Sequence, residues 1–254
     1  MVLGEQGWPG MIMFVYLILA TMVSTYRLER KTKRNPELLW CTDLAIAIQG
    51  GLVAFLVADL AYYWYHRAGH SVAALWAIHG VHHQCEEFNL SVSARHPWFS
   101  DLYSAFFYAP LPLLGIGSGQ FFVAISAISF YSVSIHSLLL KRPGLFIFTT
   151  PQTHIVHHAN NPRYLHKNFG AMFTLWDRIF GTHVEVDPAD PPRLGVPVGY
   201  LTHDGARSQW IFFDLLFQFA ARARSLGERF NVFVMHPGWR PEGVAPCQLE
   251  RTWT

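Results

Sequence analysis

Histidines cluster in three short segments of this chain. "YYWYHRAGH" places His66 and His70 four residues apart, and "WAIHGVHHQ" and "TPQTHIVHH" share the pattern HxxHH. These two HxxHH boxes contain His79, His82, His83, His154, His157 and His158. On a helix, residues three and four positions apart share a face, so each segment can direct two or three imidazoles towards one point. Because imidazoles buried together need partners, the spacing predicts a histidine-ligated metal site.

The number of imidazoles indicates more than one ion. Eight ring nitrogens exceed the six ligands of an octahedral ion, and His136 in "SFYSVSIHSLLL" could supply a ninth. Two six-coordinate ions would keep open positions where dioxygen and a substrate can meet. Imidazole binds iron, copper, zinc and nickel, so the ligand type alone leaves the metal open. The HExxH motif of zinc proteases and the paired ExxH motifs of di-iron carboxylate bundles are absent from the sequence.

Composition favours a membrane protein. Only 14% of the 254 residues are charged, against about 25% in typical soluble proteins. The net charge of +2 gives no reason to expect a nucleic-acid partner. Three scattered cysteines make a disulfide framework or a cysteine-based zinc site a poor interpretation.

The apolar segments predict an all-α, polytopic integral membrane protein with about four transmembrane helices. From 102 to 140 the chain has no Asp, Glu, Lys or Arg, and Pro110, Pro112 and nearby glycines divide this run into a hairpin. The candidate spans are 8–26, 44–65, 102–116 and 120–140. We expect 8–26 to be a retained anchor and not a cleaved signal, because no basic segment precedes it.

The remaining segments are expected to form a histidine-rich helical cap on one membrane face. The cap comprises 66–101 and 141–254, with an interfacial helix at 208–224, and the whole of 1–254 forms a single membrane domain. A two-span hairpin between the HxxHH boxes returns the chain to the same face. The basic loop at 27–34 argues against a cytoplasmic location for the boxes, so the two indications of sidedness conflict.

Longer motifs resemble the fatty acid hydroxylase / sterol desaturase superfamily. The resemblance runs from about Asp59 to Gly243, through "DLAYYWYHRAGH", "WAIHGVHHQCEEFNLSVSARH", "TPQTHIVHHANNPRYLHKNFGAMFTLWDRIFGT", "GYLTHDG" and "HPGWRPEG". Within the superfamily, "YYWYHRAGH", "EEFNLSVSARH" and "PGWRPEG" are most similar to the alkylglycerol monooxygenase branch. The superfamily consists of integral membrane di-iron oxygenases, so the resemblance implies that the nine histidines hold two iron ions.

The resemblance also implies a reaction. The expected function is that of a non-haem di-iron monooxygenase, which inserts oxygen from O2 into a lipid C–H bond using external electrons. The lipid, an ether lipid, a sterol or a fatty acyl chain, would enter from the bilayer. The reductant is open among a pterin, a cytochrome b5-like protein and a ferredoxin. The expected location is a bacterial inner membrane or the endoplasmic reticulum, with the boxes on the cytoplasmic side.

Four further residues are candidates for supporting roles beside the metals. Asp59 lies seven residues before His66, on the same helical face, and could accept a proton from a ligand's other ring nitrogen. Asp177 in "LWDRIFGT" could do the same or could simply pair with Arg178, and Asn168 in "HKNFG" is expected near the metals. His203 in "LTHDG" occupies a position typical of the superfamily. His96, His166, His183 and His236 have no helical partner and are interpreted as ordinary residues.

Three other functions fit parts of the pattern. A desaturase would use the same di-iron site and differ in losing a second hydrogen. A membrane haem protein would use pairs of histidines, but one haem takes only two axial ligands. A metal transporter would favour polar and charged residues along the spans, where Asp59 is the only charge.

Overall fold

The computed structural model describes residues 27, 39–138, 147–196, 202 and 204–244. Within these ranges the regular structure is helical, and β-pairing is limited to isolated bridges such as Phe148–Phe173. The helices whose bounds are described are α1 (Leu39–Ser71), α2 (Ala73–His79), α3 (Ser100–Tyr108), α4 (Ser118–Ser134), α5 (Pro151–His157), α6 (Leu175–Ile179), α7 (Gly205–Arg222) and α8 (Leu226–Val234). The predicted all-α class is confirmed for this part of the chain.

Helix α1 is the longest element and connects two packing layers. Its 33 residues extend about 50 Å. Ala54 and Ala58 are fully buried against Ala124 and Ile128 of α4, because small side chains let the two helices approach closely. The last turns of α1 continue past this contact and carry the first histidine pair.

A second layer is formed by α2, α7 and α8. Ala73 and Ala77 of α2 pack against Phe212 and Leu216 of α7 and Val232 of α8. The Asp204 side chain caps α7 by accepting hydrogen bonds from the next turn. The helix predicted at 208–224 is therefore present, with bounds of Gly205–Arg222. This layer covers the end of α1 that carries histidines.

The part of the chain that the structure describes does not show the predicted membrane-spanning helices. Among the described residues, no helix is both long and apolar enough to cross a membrane. In the 102–116 segment, α3 ends at Tyr108 and a 3-10 turn at Leu111–Leu114 follows, because Pro110 and Pro112 lack the N–H that an α-helix needs.

The other predicted spans differ from the structure in different ways. Helix α4 has 17 residues and ends at Ser134, short of the predicted end at 140. The segment 44–65 lies inside α1, as a helix, and the segment 8–26 lies outside the described residues. The helical nature of 44–65 is thus as expected.

Candidate metal centre

The nine predicted metal ligands lie in two adjacent groups. Group one contains His66, His70, His79, His83 and His157, and group two contains His82, His136, His154 and His158. Within each group, one ring nitrogen of every residue lies within 4.8 Å of the others. The two groups touch where the His83 and His158 rings stack, with centroids 4.5 Å apart. Segments that are far apart in sequence thus bring all nine imidazoles together.

Two of the three imidazoles in each HxxHH box share a group, which is the lower of the predicted two or three. The three imidazoles of a box do not point to one place, because the first and last belong to one group and the middle one to the other. The middle residues are His82, which joins group two, and His157, which joins group one. The second and third histidines of a box are consecutive in sequence, and consecutive residues on a helix are about 100° apart around its axis. Each box therefore contributes to both groups.

Local sequence explains the backbone of each box. Helix α2 ends at His79, and a 3-10 turn at His82–Gln84 follows, so the chain keeps a tight helical course through the first box. Helix α5 begins with Pro151, preceded by Thr150, whose side chain accepts a hydrogen bond from the Thr153 backbone. His136 lies just beyond the end of α4.

Three imidazoles are held in one tautomer by backbone carbonyls. Nδ1 of His66 donates to Phe169 O over 2.9 Å, and Nδ1 of His157 donates to Lys167 O over 3.0 Å. Nδ1 of His136 donates to Ser132 O over 2.7 Å. A carbonyl can only accept, so the proton of each neutral ring is on Nδ1 and the Nε2 atom presents a lone pair.

The Nε2 atoms converge at distances that suit a shared metal ion. In group one, Nε2 of His79 lies 3.1 Å from Nε2 of His66 and 3.1 Å from Nε2 of His83. In group two, Nε2 of His136 lies 3.0 to 3.2 Å from those of His82, His154 and His158. Metal–imidazole bonds of about 2.1 Å at right angles place neighbouring nitrogens about 3.0 Å apart. The spacing of the rings therefore fits cations held in both groups.

Unsatisfied nitrogens support the same interpretation. Nε2 of His70 and Nε2 of His157 are buried without a hydrogen-bond partner in the described part of the chain. Burial lowers the pKa of His66 to about 4, and it lowers the pKa values of His70 and His157 well below the usual range. The imidazoles are therefore neutral near pH 7, which is the form that binds metals.

The segment 167–172 provides the two carbonyls that orient group one. Asn168 lies between them with a left-handed backbone, at φ +54°. Its Nδ2 donates to Thr153 O over 2.8 Å and to Val184 O over 2.7 Å, and its Oδ1 accepts from Val184 N. Asn168 thus ties this segment to the helix of the second box, next to His154.

Two buried carboxylates hold the same segment. Asp177 accepts hydrogen bonds from Phe169 N over 2.7 Å and from Gly170 N over 2.8 Å. Asp59 accepts from Met172 N over 3.1 Å and from the Trp176 indole over 2.8 Å. The structure corrects the partners that were predicted for both residues. Their hydrogen bonds come from backbone, hydroxyl and indole groups of this region, and the rings of His66, His136 and His157 donate to carbonyls instead.

His203 is the one predicted site residue that lies outside the described residues. Apart from it, the structure places the predicted supporting side chains in or beside the 167–172 segment. Among the histidines interpreted as ordinary, His96 is exposed near Asp101 and His183 contacts Glu185.

Aromatic side chains surround the imidazoles. The Trp76 ring lies 5.0 Å from His70 and 5.4 Å from His83, and Phe169 lies 5.9 Å from His66, all measured between centroids. Phe88 stacks on His136 of group two at 5.8 Å. These rings fix the imidazole planes and limit water around the ligands.

A cavity of about 440 Å³ leads from the protein surface to group one. Its buried end is formed by His70, His83 and His157, together with His158 of group two. Its walls are apolar and come from α2 and α7, through Ala73, Ala77, Phe212, Leu215 and Leu216. We call this space the α2–α7 cavity. It gives an apolar molecule a route to the histidines.

Three residues at the outer end of the α2–α7 cavity were not assigned a role from the sequence. They are His166, His236 and Arg240. His166 and His236 lack a helical histidine partner, so helical spacing gave no signal for them. For His236 and Arg240, the only indication in the sequence of a functional role was the motif "HPGWRPEG", which contains both residues.

Comparison with known proteins places this arrangement in a family. The fatty acid hydroxylase family model matches residues 51–182, a range that contains all nine ligand candidates. Alkylglycerol monooxygenase of Danio rerio is 35% identical over 191 residues, which is 74% of this chain and 42% of the relative. The Homo sapiens alkylglycerol monooxygenase is 31% identical over 190 residues, with the same coverage of 74% and 42%.

More distant relatives share the same region. Cholesterol 25-hydroxylase of Homo sapiens is 26% identical over 161 residues, covering 59% of this chain and 57% of the relative. The chain spans less than half the length of the alkylglycerol monooxygenases that it matches. No solved structure matches the chain. The family model covers just over half of the chain, and the chain belongs to the fatty acid hydroxylase family.

Proposed function

We propose that this chain is a membrane-bound, non-haem di-iron monooxygenase that hydroxylates a lipid C–H bond. The observation that carries the proposal is the α2–α7 cavity, because its apolar walls end at the histidines of group one. A substrate carbon that enters this cavity would be adjacent to a metal ion. The reaction would consume O2 and two external electrons.

The nine histidines would hold the metals, with five in group one and four in group two. Two bound iron ions would supply activation of dioxygen for attack on an unactivated C–H bond. The carbonyls of Lys167, Phe169 and Ser132 would keep three ligand rings oriented before and after metal binding. The aromatic rings around both groups would exclude water from the reacting atoms.

The names of the relatives support hydroxylation as the reaction. The two vertebrate relatives reported above are named alkylglycerol monooxygenases, and a more distant one is named a cholesterol 25-hydroxylase. We therefore propose an ether lipid as the preferred substrate class, ahead of a sterol or a fatty acyl chain. A desaturase with the same histidines is the alternative, and its product would lack two hydrogens.

The geometry is unfavourable for a haem protein. In each group the ligand atoms lie within 4.8 Å of one another, and five or four residues contribute. A porphyrin would need two axial nitrogens on opposite sides of a plane, with no other ligands between them. We find that arrangement in neither group.

The distribution of apolar side chains supports a location in or on a membrane. Phe106 of α3 is 77% exposed, and Phe122 and Phe130 of α4 are 69% and 78% exposed. Leu226 and Phe230 of α8 are also exposed. Large apolar side chains on neighbouring helices are unfavourable in water and favourable in lipid. We propose that these surfaces contact the bilayer and that the lipid substrate enters from it.

Oxygen incorporation tests the function directly. Cells that express the full chain would be grown under 18O2, and their lipid extracts would be compared with those of cells expressing His83→Gln. We expect one labelled oxygen in a lipid class with the unchanged chain and none with the variant. His96→Gln, which changes an exposed histidine near Asp101, should label lipids normally. A lipid product that has lost two hydrogens and carries no label would show that the reaction is desaturation and not hydroxylation. If no lipid changes, both reactions are rejected.

A further inference from the structure

The two ends of the α2–α7 cavity differ in chemistry. The inner end consists of buried imidazoles, whereas the outer end contains the exposed rings of His166 and His236 and the half-buried guanidinium of Arg240. None of the described residues that line the cavity is acidic. A neutral lipid would require apolar walls but would not require a basic group at the mouth.

The basic character extends beyond the lining. The His166 ring is partly desolvated at the cavity mouth, and this desolvation, with the nearby basic side chains of His236, Lys167 and Arg67, lowers the pKa of His166. Arg67 packs against the Trp64 ring at 5.4 Å and donates to the Tyr63 hydroxyl, so its side chain is held in place, although it does not line the cavity. The Arg240 guanidinium carries a permanent positive charge that would attract an anion at the mouth, and a neutral His166 ring can still donate one hydrogen bond to it.

The backbone directs these residues to the mouth. His166 has a left-handed conformation at φ +58°, which few residues other than glycine adopt. His236 and Arg240 lie in one turn after α8, closed by a hydrogen bond from Trp239 N to His236 O over 2.9 Å. Two separate parts of the chain thus bring basic side chains to one opening.

We propose that Arg240, His236 and His166 bind the anionic headgroup, a phosphate or a carboxylate, of a single-chain lipid. A guanidinium can donate two parallel hydrogen bonds to either oxyanion. With the headgroup at the mouth, the adjoining carbons lie along the α7 wall and reach the histidines of group one. The position that is oxidised is then set by its distance from the anion. The statement about the oxidised position rests on the proposed function, whereas the statement that the mouth binds an anionic headgroup does not.

Binding is measured on the full chain with its metals, in detergent and without oxygen, so that no turnover occurs. The probes share one alkyl chain: a neutral glycerol ether, its phosphate monoester and the corresponding fatty acid. We expect the two anions to bind about tenfold more tightly than the neutral ether. This preference should shrink as salt is raised, because salt screens the basic mouth.

The variants assign the preference to the mouth. Arg240→Gln and His236→Gln should each reduce the preference for anions while leaving the affinity for the neutral ether within about twofold. Arg229→Gln removes an exposed arginine of α8 that does not line the cavity, and it should bind like the unchanged chain. Arg240→Lys should retain part of the preference. Melting temperatures identify any variant that fails to fold. In that case the salt dependence of the anion preference in the unchanged chain still tests whether the mouth binds anions.

Several results would overturn the proposal. Equal affinity for neutral and anionic probes in the unchanged chain would reject it, as would an unchanged preference in Arg240→Gln. Binding of inorganic phosphate alone as tightly as the phosphate lipid would show a free-anion site and not a headgroup site. If the anions bind as expected but lipids gain no oxygen, the proposed function fails and the headgroup site remains.

Discussion

At the scale of single residues, the orientation of the imidazoles comes from backbone carbonyls. His66, His136 and His157 donate from Nδ1 to three carbonyl oxygens, so their Nε2 lone pairs face the groups before any metal binds. In metal-free protein these lone pairs repel one another. A bound cation would turn that repulsion into attraction, so metal binding should stabilise the fold strongly.

We predict that His136→Gln removes the metal of group two. Its Nε2 atom lies within 3.2 Å of the Nε2 atoms of all three other members, so the variant loses a ring at the centre of the group. The iron content should fall from about two to about one per chain, and hydroxylation should be lost. His96→Gln serves as the control. Full iron content in His136→Gln would contradict the assignment of His136 as a ligand.

We predict that Asn168→Ala weakens both the fold and metal binding. The variant loses the hydrogen bonds to Thr153 and Val184 and places alanine in a left-handed conformation. The free energy of unfolding should fall by about 2–4 kcal/mol, and metal affinity by about tenfold. Thermal melting and a chelator titration measure the two effects.

Asn89→Ala is the matched control for Asn168→Ala. Asn89 caps the short turn Leu90–Val92, and its side chain forms hydrogen bonds with Glu87 and Ser91. Its melting temperature should change less than that of Asn168→Ala, and its metal affinity should not change. Equal effects in the two variants would show that Asn168 has no special role.

At this scale the sequence indicated which residues belong to the site better than it indicated their hydrogen-bond partners. Eight of the histidines were recognisable because helical spacing places nearby residues on one face, whereas His136 stands alone in the sequence and was only a possible ninth ligand. The partners of Asp59 are Met172 and Trp176, 113 and 117 residues along the chain. No local pattern encodes a contact of that separation. The two orienting carbonyls could not be recognised at all, because every residue has one.

At the scale of elements, the two HxxHH boxes connect the groups. Each box supplies two rings to one group and one ring to the other, with the assignment reversed between boxes. The sequence predicts that each box binds metal, but not which group receives the i+3 ring. That depends on how α2 and α5 are rotated relative to each other, which tertiary packing decides.

We predict that Gly170→Ala disrupts the 167–172 segment. A Cβ atom there would overlap Phe173 O and lie 2.9 Å from Asp177 Oδ2, so the backbone must move. We expect a loss of about 1–3 kcal/mol in the free energy of unfolding and a reduced iron content. Thermal melting and metal analysis measure both.

Gly51→Ala is the control for this glycine substitution. A Cβ at Gly51 in α1 would meet nothing within 4 Å, and alanine favours a helix over glycine. The free energy of unfolding should rise by up to about 1 kcal/mol, with iron content unchanged. Normal iron in Gly170→Ala would contradict the role given to the 167–172 segment.

At the scale of the whole molecule, the composition predicts an apolar surface, and the structure exposes many large apolar side chains. The lengths of the helices, however, differ from those of the predicted spans. The long uncharged run at 102–140 predicted a hairpin of two crossings. The structure instead breaks the first half at Tyr108 and ends α4 at Ser134, while leaving many large apolar side chains exposed. Hydropathy reports the environment of a segment but not the length of its helix, which the prolines and glycines determine here.

We predict that the full chain fractionates with membranes. The exposed apolar side chains of α3, α4 and α8 should hold it there by hydrophobic contact, so salt of about 1 M should not release it. A mild detergent should extract it with its iron. Recovery in the supernatant after the salt wash would contradict a hydrophobic attachment.

The central claim is that nine histidines from separate segments hold two metal ions. The most direct measurement is the iron content of the detergent-extracted full chain, combined with X-ray absorption at the iron edge. We predict two iron ions per chain, coordinated mainly by nitrogen at about 2.1 Å. A single ion per chain, or a sulfur-dominated coordination shell, would contradict the claim.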